Sequence, residues 1–322
     1  MRRNAFLLRF MLIGIVMHAY VGLRLVPALA TGTVSQVIAV LLLVLSCLLI
    51  PAAMFSRRMV QPMPEPVVVA GLVAMGFFSS LLTLTVLRDV LLLCLAIYAT
   101  IRAPIISLDA WRSWSAAAVP SLSLLFTVAG FINARRLARV VSVDVPIDGL
   151  PESLVGFTIA QISDVHVGPT IKHDYLGAIV NAVNQLKPDM IAVTGDMVDG
   201  SVQQLSRHTS PLAQLSARHG TFLVTGNHEY YSGAPAWIAE FRRLGMHVLL
   251  NEHVMLDHGG TPLLVAGVTD LTAGHYDASQ RSDPAAALVG APPGTHVKVL
   301  LAHQPGSAFA AARENFTLQL SG

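Results

Sequence analysis

The chain contains little charge for its length. Only 12% of its 322 residues are Asp, Glu, Lys or Arg, whereas 53% are hydrophobic. A soluble globular domain usually carries about twice that share of charge, so we expect part of this chain to lie in lipid. The formal net charge is only +2, and the basic residues form no extended stripe. These observations argue against a nucleic-acid-binding protein.

Cysteine is also scarce. The two cysteines, Cys47 and Cys94, both lie in apolar runs. A small disulfide-stabilised scaffold is excluded, because such scaffolds contain several paired cysteines. The sequence shows no internal repeat and no low-complexity tract, so repeat architectures are excluded as well.

Long apolar runs are confined to the part of the chain before about residue 133. Four of them are predicted to cross a membrane as helices, at residues 6–23, 34–55, 67–87 and 114–132. Each is close to the roughly 20 residues that span a hydrocarbon core of about 30 Å. Residues 89–101 are too short to span alone, so they either continue the third helix or form an interfacial segment.

A cleaved signal peptide is the rival interpretation of the first run. Arg2 and Arg3 precede the apolar stretch, and Ala-Leu-Ala follows at residues 28–30, as in a secretory signal. Arg24 interrupts the approach to this site, and further spans follow it. A retained first helix is therefore favoured.

The basic residues that flank the four spans are divided unequally between the two sides of the membrane. Because basic residues are enriched in cytoplasmic loops, we expect the N-terminus and everything after residue 139 to face the cytoplasm of a bacterial cell, at its inner membrane. A separate fifth span near residues 90–101 would reverse the second half of this expectation. The cytoplasmic set is Arg2, Arg3, Arg9, Arg57, Arg58, Arg135, Arg136 and Arg139, and the opposite set is Arg24, Arg88, Arg102 and Arg112.

The hydrophobic period changes after residue 140. Short runs rich in Val, Ile and Leu alternate with mixed helical stretches, which indicates an α/β domain. We predict a transmembrane helical domain over 1–139, a linker over 140–154 and an α/β domain over 155–322. Helices are predicted at 175–186 and 234–244. Strands are predicted at 156–163, 190–195, 221–226, 262–268, 297–303 and 316–321.

Polar side chains follow four of these strands. The first strand ends in SDVHVG, with Asp164 and His166, and the second ends in TGDMVDG, with Asp196 and Asp199. The carboxyl ends of strands are the usual address of an active site in an α/β domain. The third and fifth strands end in TGNHEYY and LAHQP, which add Asn227, His228, Glu229 and His303.

Each of these residues also has an ordinary structural explanation. Asp and Asn are common helix caps and turn formers, and a single His is more often a structural group than a ligand. Capping does not explain why all four strand ends carry such groups together. Carboxylate, amide and imidazole groups without cysteine suit Mn, Fe, Zn or Mg. A metal site is therefore the favoured interpretation.

The four segments resemble motifs of the calcineurin-like metallophosphoesterases. DVH matches the D-x-H block of that family, GDMVD its G-D-x-x-D block and GNHE its G-N-H-[DE] block, while AHQP resembles its isolated metal-binding His. The likeness covers residues from about 155 to the end and leaves the membrane part outside. It implies two packed mixed β-sheets flanked by helices, and two divalent metal ions.

The resemblance implies a set of metal ligands. Asp164, His166 and Asp196 are expected to hold the first ion. Asp196 is expected to bridge to the second ion, which Asn227 and His303 also hold. No other cofactor is implied.

The resemblance also implies how the reaction proceeds. A hydroxide shared by the two ions attacks phosphorus in line, and His228 is the catalytic imidazole beside the leaving group. Asp199 is expected to orient the site from outside the ligand set. Each of these groups suits a two-metal hydrolysis, in which the metals neutralise the charge that develops on the phosphoryl oxygens.

The last residues resemble a strand that leads into a further block of the family. In the family, G-H-x-H follows such a strand, and Gly322 is similar to its glycine. We therefore expect residues 1–322 to stop before two histidine ligands, to bind metal weakly and to turn over little substrate.

These expectations combine into a membrane-anchored phosphoesterase acting on a phosphomonoester, a phosphodiester or a pyrophosphate. Attachment to a bilayer favours a lipid-linked substrate. The alternative is a non-catalytic membrane protein whose phosphoesterase-like domain binds metal or a partner, although the intact GNHE and GDMVD segments argue against it. A transporter ranks last, because the spans hold no acidic or lysine residue at mid-depth.

Overall fold

The computed structural model describes residues 2–29, 32–56, 63–102 and 107–322, with side chains from residue 7 onwards. The chain divides into two compact units, Met1–Arg136 and Leu137–Gly322. Within the described residues, the first unit contains four helices that are long and apolar enough to cross a membrane. They are α1 (Arg2–Leu25), α2 (Thr33–Phe55), α3 (Glu65–Ile101) and α4 (Leu108–Ala134).

The four predicted spans are confirmed as helices, and the third is longer than predicted. Helix α3 has 37 residues, or about 55 Å at 1.5 Å per residue. Residues 89–101 continue this helix and form no separate element. Arg57 and Arg58, which belong to the predicted cytoplasmic set of arginines, lie outside the described residues.

Helices α2 and α3 approach each other closely at Gly71. A Cβ atom built on Gly71 would lie 2.5 Å from both the Cβ of Ala53 and the carbonyl oxygen of Leu49. Small residues allow such backbone contact between membrane helices. The outer faces of the helices are apolar, with Leu12 60% and Leu41 62% exposed, as expected of side chains that meet lipid.

A charged cluster joins α1, α3 and α4. Arg88 is buried, and its guanidinium donates to Asp89 at 3.2 Å and to the carbonyl oxygen of Arg112 at 3.0 Å. The Asp89 carboxylate also accepts from the Tyr20 hydroxyl and from Arg24 Nε, each at 2.7 Å. The buried Arg88 is therefore paired with a carboxylate and a backbone carbonyl inside the helical unit, as ionisable groups in membrane segments usually are.

The second unit contains two four-stranded sheets and five helices among its described residues. The strands are β1 (Ile159–Ile162), β2 (Met190–Val193), β3 (Thr221–Leu223), β4 (His247–Val248), β5 (Glu252–His258), β6 (Thr261–Gly267), β7 (Val297–Leu301) and β8 (Leu318–Leu320). The helices are α5 (His173–Gln185), α6 (Val202–Thr209), α7 (Asn227–Ser232), α8 (Ala234–Arg243) and α9 (Ala308–Ala311).

The first sheet is parallel, in the order β1-β2-β3-β4, and the second has the order β5-β6-β7-β8. Strand β5 is antiparallel to β6, whereas β6, β7 and β8 are parallel. The predicted fold class is confirmed: helices precede an α/β unit with two sheets. Parallel pairing brings the carboxyl ends of β1, β2 and β3 to one edge of their sheet.

The two sheets pack against each other through an apolar core. Strand β2 is buried on both faces, as is usual for a parallel sheet. Its Met190 and Ala192 enter the core between the sheets, whereas Ile191 and Val193 enter the core on the helical side. The second sheet supplies Leu263, Val265, Val297, Val299 and Leu301 to the shared core.

The predicted strands are all present, although most end earlier than predicted. The polar residues that follow β1, β2 and β7 lie in loops, and those that follow β3 begin helix α7. Strands β4 and β5 were not predicted. Strand β4 has only two residues, and polar side chains interrupt the apolar pattern of β5. Helices α5 and α8 match the two predicted helices.

Candidate metal centre

The loop after β1 holds Asp164 and His166 in a left-handed backbone conformation, with φ values of 55° and 52°. Non-glycine residues rarely adopt this conformation. The backbone N–H of Asp164 donates to the carbonyl oxygen of Gly195, and that of His166 donates to the carbonyl oxygen of Asp196. The loop after β2 therefore fixes the backbone of the loop after β1.

The loop after β2 carries Asp196, which is also left-handed at φ 54° and almost buried. Its Oδ1 accepts a hydrogen bond of 2.8 Å from the backbone N–H of His228. A Cβ atom on Gly226 would overlap this oxygen, so the close approach requires glycine there. Asp199 comes from the same loop, and its Oδ1 accepts from Nδ1 of His228 at 2.5 Å.

A short loop joins β3 to α7, and the first turn of α7 carries Asn227, His228 and Glu229. Asn227 begins the helix and is half-buried, between Gly226 and His228. Glu229 is fully buried, and its carboxylate accepts from the backbone N–H groups of Gly226 at 2.7 Å, Met197 at 2.8 Å and Asp196 at 3.0 Å. Glu229 thus ties α7 to the Asp196 loop.

The second sheet contributes His303, which follows β7. Its Nδ1 lies 2.8 Å from the carbonyl oxygen of Thr194, so Nδ1 carries a hydrogen. Nε2 is the nitrogen that faces Asp196 Oδ2, at 3.3 Å. The backbone N–H of Gly322, just after β8, donates to the carbonyl oxygen of His303 at 2.8 Å. A Cβ atom on Gly322 would lie 2.7 Å from Asp164 Oδ2, so the end of β8 also meets this site.

Three imidazoles from three different loops face one carboxylate oxygen. Asp196 Oδ2 lies 3.3 Å from Nε2 of His303, 3.9 Å from Nε2 of His166 and 4.0 Å from Nε2 of His228. Asp164 joins them, with its Oδ1 3.8 Å from Nε2 of His166. The structure therefore brings these five predicted site residues together.

The pKa values of the site residues reflect these short distances. Burial alone would raise the pKa of Asp196, but hydrogen bonds from His303 and from the backbone of His228 lower that pKa below its ordinary value. Burial opposes a charge on His303, yet Asp196 and the Thr194 carbonyl raise its pKa to about 9. The hydrogen bond with Asp199, aided by neighbouring carboxylates, raises the pKa of His166. These shifts show that the carboxylates create a negative potential in the site, which favours the binding of cations.

The pKa of the Glu229 carboxyl is shifted in the opposite direction to that of Asp196. Burial raises the pKa of this carboxyl to about 7, although three backbone N–H groups favour its ionised form. A carboxylate in such a place is costly to bury. Its hydrogen bonds to the Asp196 loop offset that cost and give it a structural role.

The donor set fits a divalent cation. Asp164, His166 and Asp196 each offer an atom, and the three atoms lie within 4.8 Å of one another. His166, Asp199 and His228 form a second group of this kind, but there the Asp199 oxygen already accepts from His228. Carboxylate and imidazole donors without thiolate suit Mn, Fe, Zn or Mg. The three left-handed backbones are strained in the way that functional sites often are.

Residues 157–322, about half of the chain, match the sequence profile of the calcineurin-like phosphoesterases. The chain belongs to this family. The resemblance inferred from DVH, GDMVD, GNHE and AHQP is thereby confirmed. Members of this family are metal-dependent phosphoesterases, which agrees with the candidate ligands gathered around Asp196.

Relatives of this chain are found in animals and bacteria. A "transmembrane protein with metallophosphoesterase domain" of Bos taurus is 38% identical over 218 residues, which cover 63% of this chain and 49% of that protein. Its Danio rerio namesake is 34% identical over 213 residues, with 62% and 47% covered. A metallophosphoesterase of Campylobacter jejuni is 30% identical over 202 residues, with 62% and 52% covered. The chain thus spans about half the length of each.

Sequence reasoning missed the residues that support the site from behind. The sequence places Glu229 beside His228 in GNHE but gives no sign that it is buried or that it binds the backbone of the Asp196 loop. Two further supporting groups carry no sequence signal. The carbonyl oxygen of Thr194 lies 2.8 Å from Nδ1 of His303, and the Ser163 hydroxyl donates to Asp164 Oδ2 at 2.5 Å. Their roles depend on contacts that only the fold creates.

Proposed function

We propose that this protein is a membrane-anchored phosphoesterase that uses two divalent metal ions to hydrolyse a phosphomonoester, a phosphodiester or a pyrophosphate. The observation that carries the proposal is the position of Asp196 Oδ2, within 4.0 Å of Nε2 of His166, His228 and His303. Such a carboxylate can serve two neighbouring cations at once. The family to which the chain belongs supports the reaction class.

The proposed ligands divide into two groups that share Asp196. Asp164, His166 and Asp196 would hold one ion, and Asp196, Asn227 and His303 would hold the other. Bound divalent ions would supply Lewis-acid activation of a phosphoryl oxygen and of water. We take Mn²⁺ as the first metal to try.

His228 is proposed to serve the leaving group. Its Nδ1 is engaged by Asp199 at 2.5 Å, so Nε2 is the free nitrogen. The His228 side chain is 30% exposed, and a substrate therefore has access to it. With a proton on both nitrogens, its ring can donate a hydrogen bond or the Nε2 proton to the departing oxygen. Asp199 accepts from Nδ1 and so orients the ring.

The membrane part is proposed to anchor the phosphoesterase at a cell membrane. We take residues 1–139 as the membrane domain, 140–154 as a linker and 155–322 as the catalytic domain. The excess of arginines beside the N-terminus and α4 supports a cytoplasmic catalytic domain. Labelling a cysteine introduced at Asp148 with an impermeant maleimide, in intact cells and in inverted vesicles, tests this orientation. Labelling in intact cells would contradict it.

Hydrolysis of bis-p-nitrophenyl phosphate and of p-nitrophenyl phosphate by the purified protein with Mn²⁺ tests the proposed function. We expect slow nitrophenol release that chelation abolishes and that Asp196→Ala and His228→Ala reduce further. Metal binding without turnover of either ester would instead favour a protein that uses this domain for binding alone. Turnover that both variants retain would reject the assigned site.

A further inference from the structure

Two tyrosines form an exposed aromatic wall beside His228. Tyr231 is 58% exposed and Tyr276 is 55% exposed. The ring centroid of Tyr231 lies 5.1 Å from that of His228 and 6.0 Å from that of Tyr276. Large apolar side chains left in water at a site opening mark a surface that binds something. We call Tyr231 and Tyr276 the tyrosine wall.

The wall joins two separate parts of the chain. Tyr231 lies on α7, the helix that begins with Asn227. Tyr276 lies on the loop between β6 and β7 in the second sheet, where its backbone N–H donates to the carbonyl oxygen of Ala273 at 2.9 Å. Two elements from different sheets thus meet at one edge of the site.

The backbone under the wall is held firmly. Tyr230, the neighbour of Tyr231, is buried, and its hydroxyl donates to Gln280 at 2.7 Å. The Tyr230 ring also lies 5.8 Å from that of Tyr276. The wall is therefore preorganised, and a ligand that covers it does not first have to order the two loops.

We propose that the tyrosine wall binds the leaving group of the substrate, and that this leaving group carries hydrocarbon, as in a phosphoester of a lipid alcohol. The inference rests on the proposed role of His228, because the leaving oxygen must lie near its Nε2 and the attached group must then pass Tyr231. Leu271, on the same loop as Tyr276, is a further exposed apolar side chain, at 43%. A chain with four apolar spans also lies where lipid alcohols are abundant.

A nucleoside is the main competing leaving group, since bases also stack on tyrosines. The two rings are inclined at 57° to each other, so they do not form a parallel slot for a flat base. An inclined pair suits a flexible chain that can follow both surfaces. The hydrocarbon is therefore the assignment that the geometry favours.

Binding of alkyl phosphonates, which are not hydrolysed, tests the wall without relying on turnover. The full chain in lipid nanodiscs, loaded with Mn²⁺, is titrated by calorimetry with methyl-, butyl- and hexylphosphonate. Each methylene that leaves water fully strengthens binding by about fourfold, and half-covered ones by about twofold. We expect the dissociation constant to fall steadily with chain length, and adenosine monophosphate to bind less tightly than hexylphosphonate.

Matched variants separate the wall from the bilayer. The double variant Tyr231→Ala/Tyr276→Ala should lose most of the gain with chain length, whereas Tyr231→Phe/Tyr276→Phe, which keeps both rings, should retain it within about twofold. Val289→Ala, at an exposed apolar residue 13 positions further along the same β6–β7 connection, should behave as wild type. Partition into lipid is the same in all four proteins and cancels in the comparison.

The outcomes distinguish the wall from the proposed function. If binding does not strengthen with alkyl chain length, whether because all phosphonates bind alike or because none binds, the proposed role of the tyrosine wall is overturned. Tighter binding of adenosine monophosphate than of hexylphosphonate would overturn the hydrocarbon assignment. If binding strengthens with chain length only when both tyrosines are present, but the protein hydrolyses no ester, the tyrosine wall is supported and the proposed hydrolysis is rejected.

Discussion

At the scale of single residues, the centre depends on one carboxylate that several groups share. Asp196 accepts at Oδ1 from the backbone of His228, while its Oδ2 faces His166 and His303. A residue with so many partners cannot change without disturbing the others. Asp199 Oδ1 meets Nδ1 of His228 at 2.5 Å and Nδ1 of His166 at 3.4 Å. His228 lies outside the proposed ligand set, so its substitution should disturb chemistry more than metal binding.

Asp196→Asn is the sharpest test of the shared carboxylate. The amide keeps the size of the side chain but removes its charge and one acceptor. We expect kcat/KM to fall more than about 100-fold, since substitutions that merely support a ligand already cost 10–100-fold, and bound metal to fall as well. Metal content by mass spectrometry and ester hydrolysis measure both. Asp174→Asn, at an exposed carboxylate of α5, should change neither.

His228→Ala is expected to separate catalysis from metal binding. Loss of a general acid lowers kcat by about 10²- to 10⁴-fold, while the proposed ligands remain. Asp199→Asn should lower kcat less, because the imidazole is still present but less well oriented. His173→Ala, at an exposed histidine, is the matched control. Loss of bound metal in His228→Ala would instead make His228 a ligand.

At the scale of elements, short hydrogen-bonded links fix the loops that carry the site. Glu229 joins α7 to the Asp196 loop, and the pair of His219 and His258 joins the loop before β3 to the end of β5, with Nε2 of one 2.9 Å from Nδ1 of the other. The first link lies under the metal centre. The second bridges the two sheets elsewhere.

Glu229→Gln should destabilise the phosphoesterase unit. Glutamine has one acceptor oxygen, so its NH₂ group would face backbone N–H donors that Oε2 now satisfies. Leaving buried donors unpaired costs about 2–4 kcal/mol, which thermal unfolding followed by the fluorescence of buried Trp237 would detect. Glu252→Gln, half-exposed and 3.9 Å from Arg242, should cost less than about 1 kcal/mol. Equal stability of the two variants would contradict the role of Glu229.

The pair of His219 and His258 predicts a pH dependence. Burial, with the nearby His258, lowers the pKa of His219 below the ordinary 6.5. The folded state therefore binds fewer protons than the unfolded state, so this stability is present above pH 6.5 and is lost as pH falls through the lowered pKa. We expect amide exchange in β5 to accelerate over that range.

His219→Gln should flatten this pH dependence, because an amide can hydrogen-bond to His258 without titrating. His253→Gln is the control. His253 lies on β5, as His258 does, but its Nδ1 bonds to the carbonyl oxygen of Ala287 at 2.7 Å. A wild-type exchange rate in β5 that does not change with pH, beyond the intrinsic dependence of exchange, would contradict the prediction.

At the scale of the whole molecule, the candidate centre lies where the two sheets of the phosphoesterase unit meet. Asp196 follows a strand of the first sheet, and His303 follows a strand of the second. A cation held by both would cross-link the sheets. The membrane unit is stabilised separately, by apolar packing and by the cluster around Arg88.

Metal should therefore raise the thermal stability of the phosphoesterase unit. A ligand that binds only the folded state contributes about 2.7 kcal/mol at 100 times its dissociation constant. We expect the unfolding midpoint of Trp237 fluorescence to rise on addition of Mn²⁺ and to return on chelation. Asp196→Asn should show no such shift. A shift that persists in this variant would place the stabilising metal elsewhere.

Much of this architecture follows from local patterns in the chain. The four membrane helices are predictable because each is a long apolar run, and a membrane span needs little beyond length and apolarity. The strands of the α/β unit are predictable as short apolar runs, and the ligand candidates as polar groups at their ends. The family is recognisable because its motifs are local segments such as GNHE.

Other features arise only from contacts between distant residues. The left-handed backbones of Asp164 and His166 depend on carbonyl groups of the Asp196 loop. The orientation of the His303 ring depends on Thr194, more than 100 residues away. Strand β5 is held by its pairing with β6, despite its polar side chains. The tyrosine wall joins α7 to a loop of the other sheet. Local periodicity cannot specify these contacts, because each depends on which surfaces the packed sheets bring together.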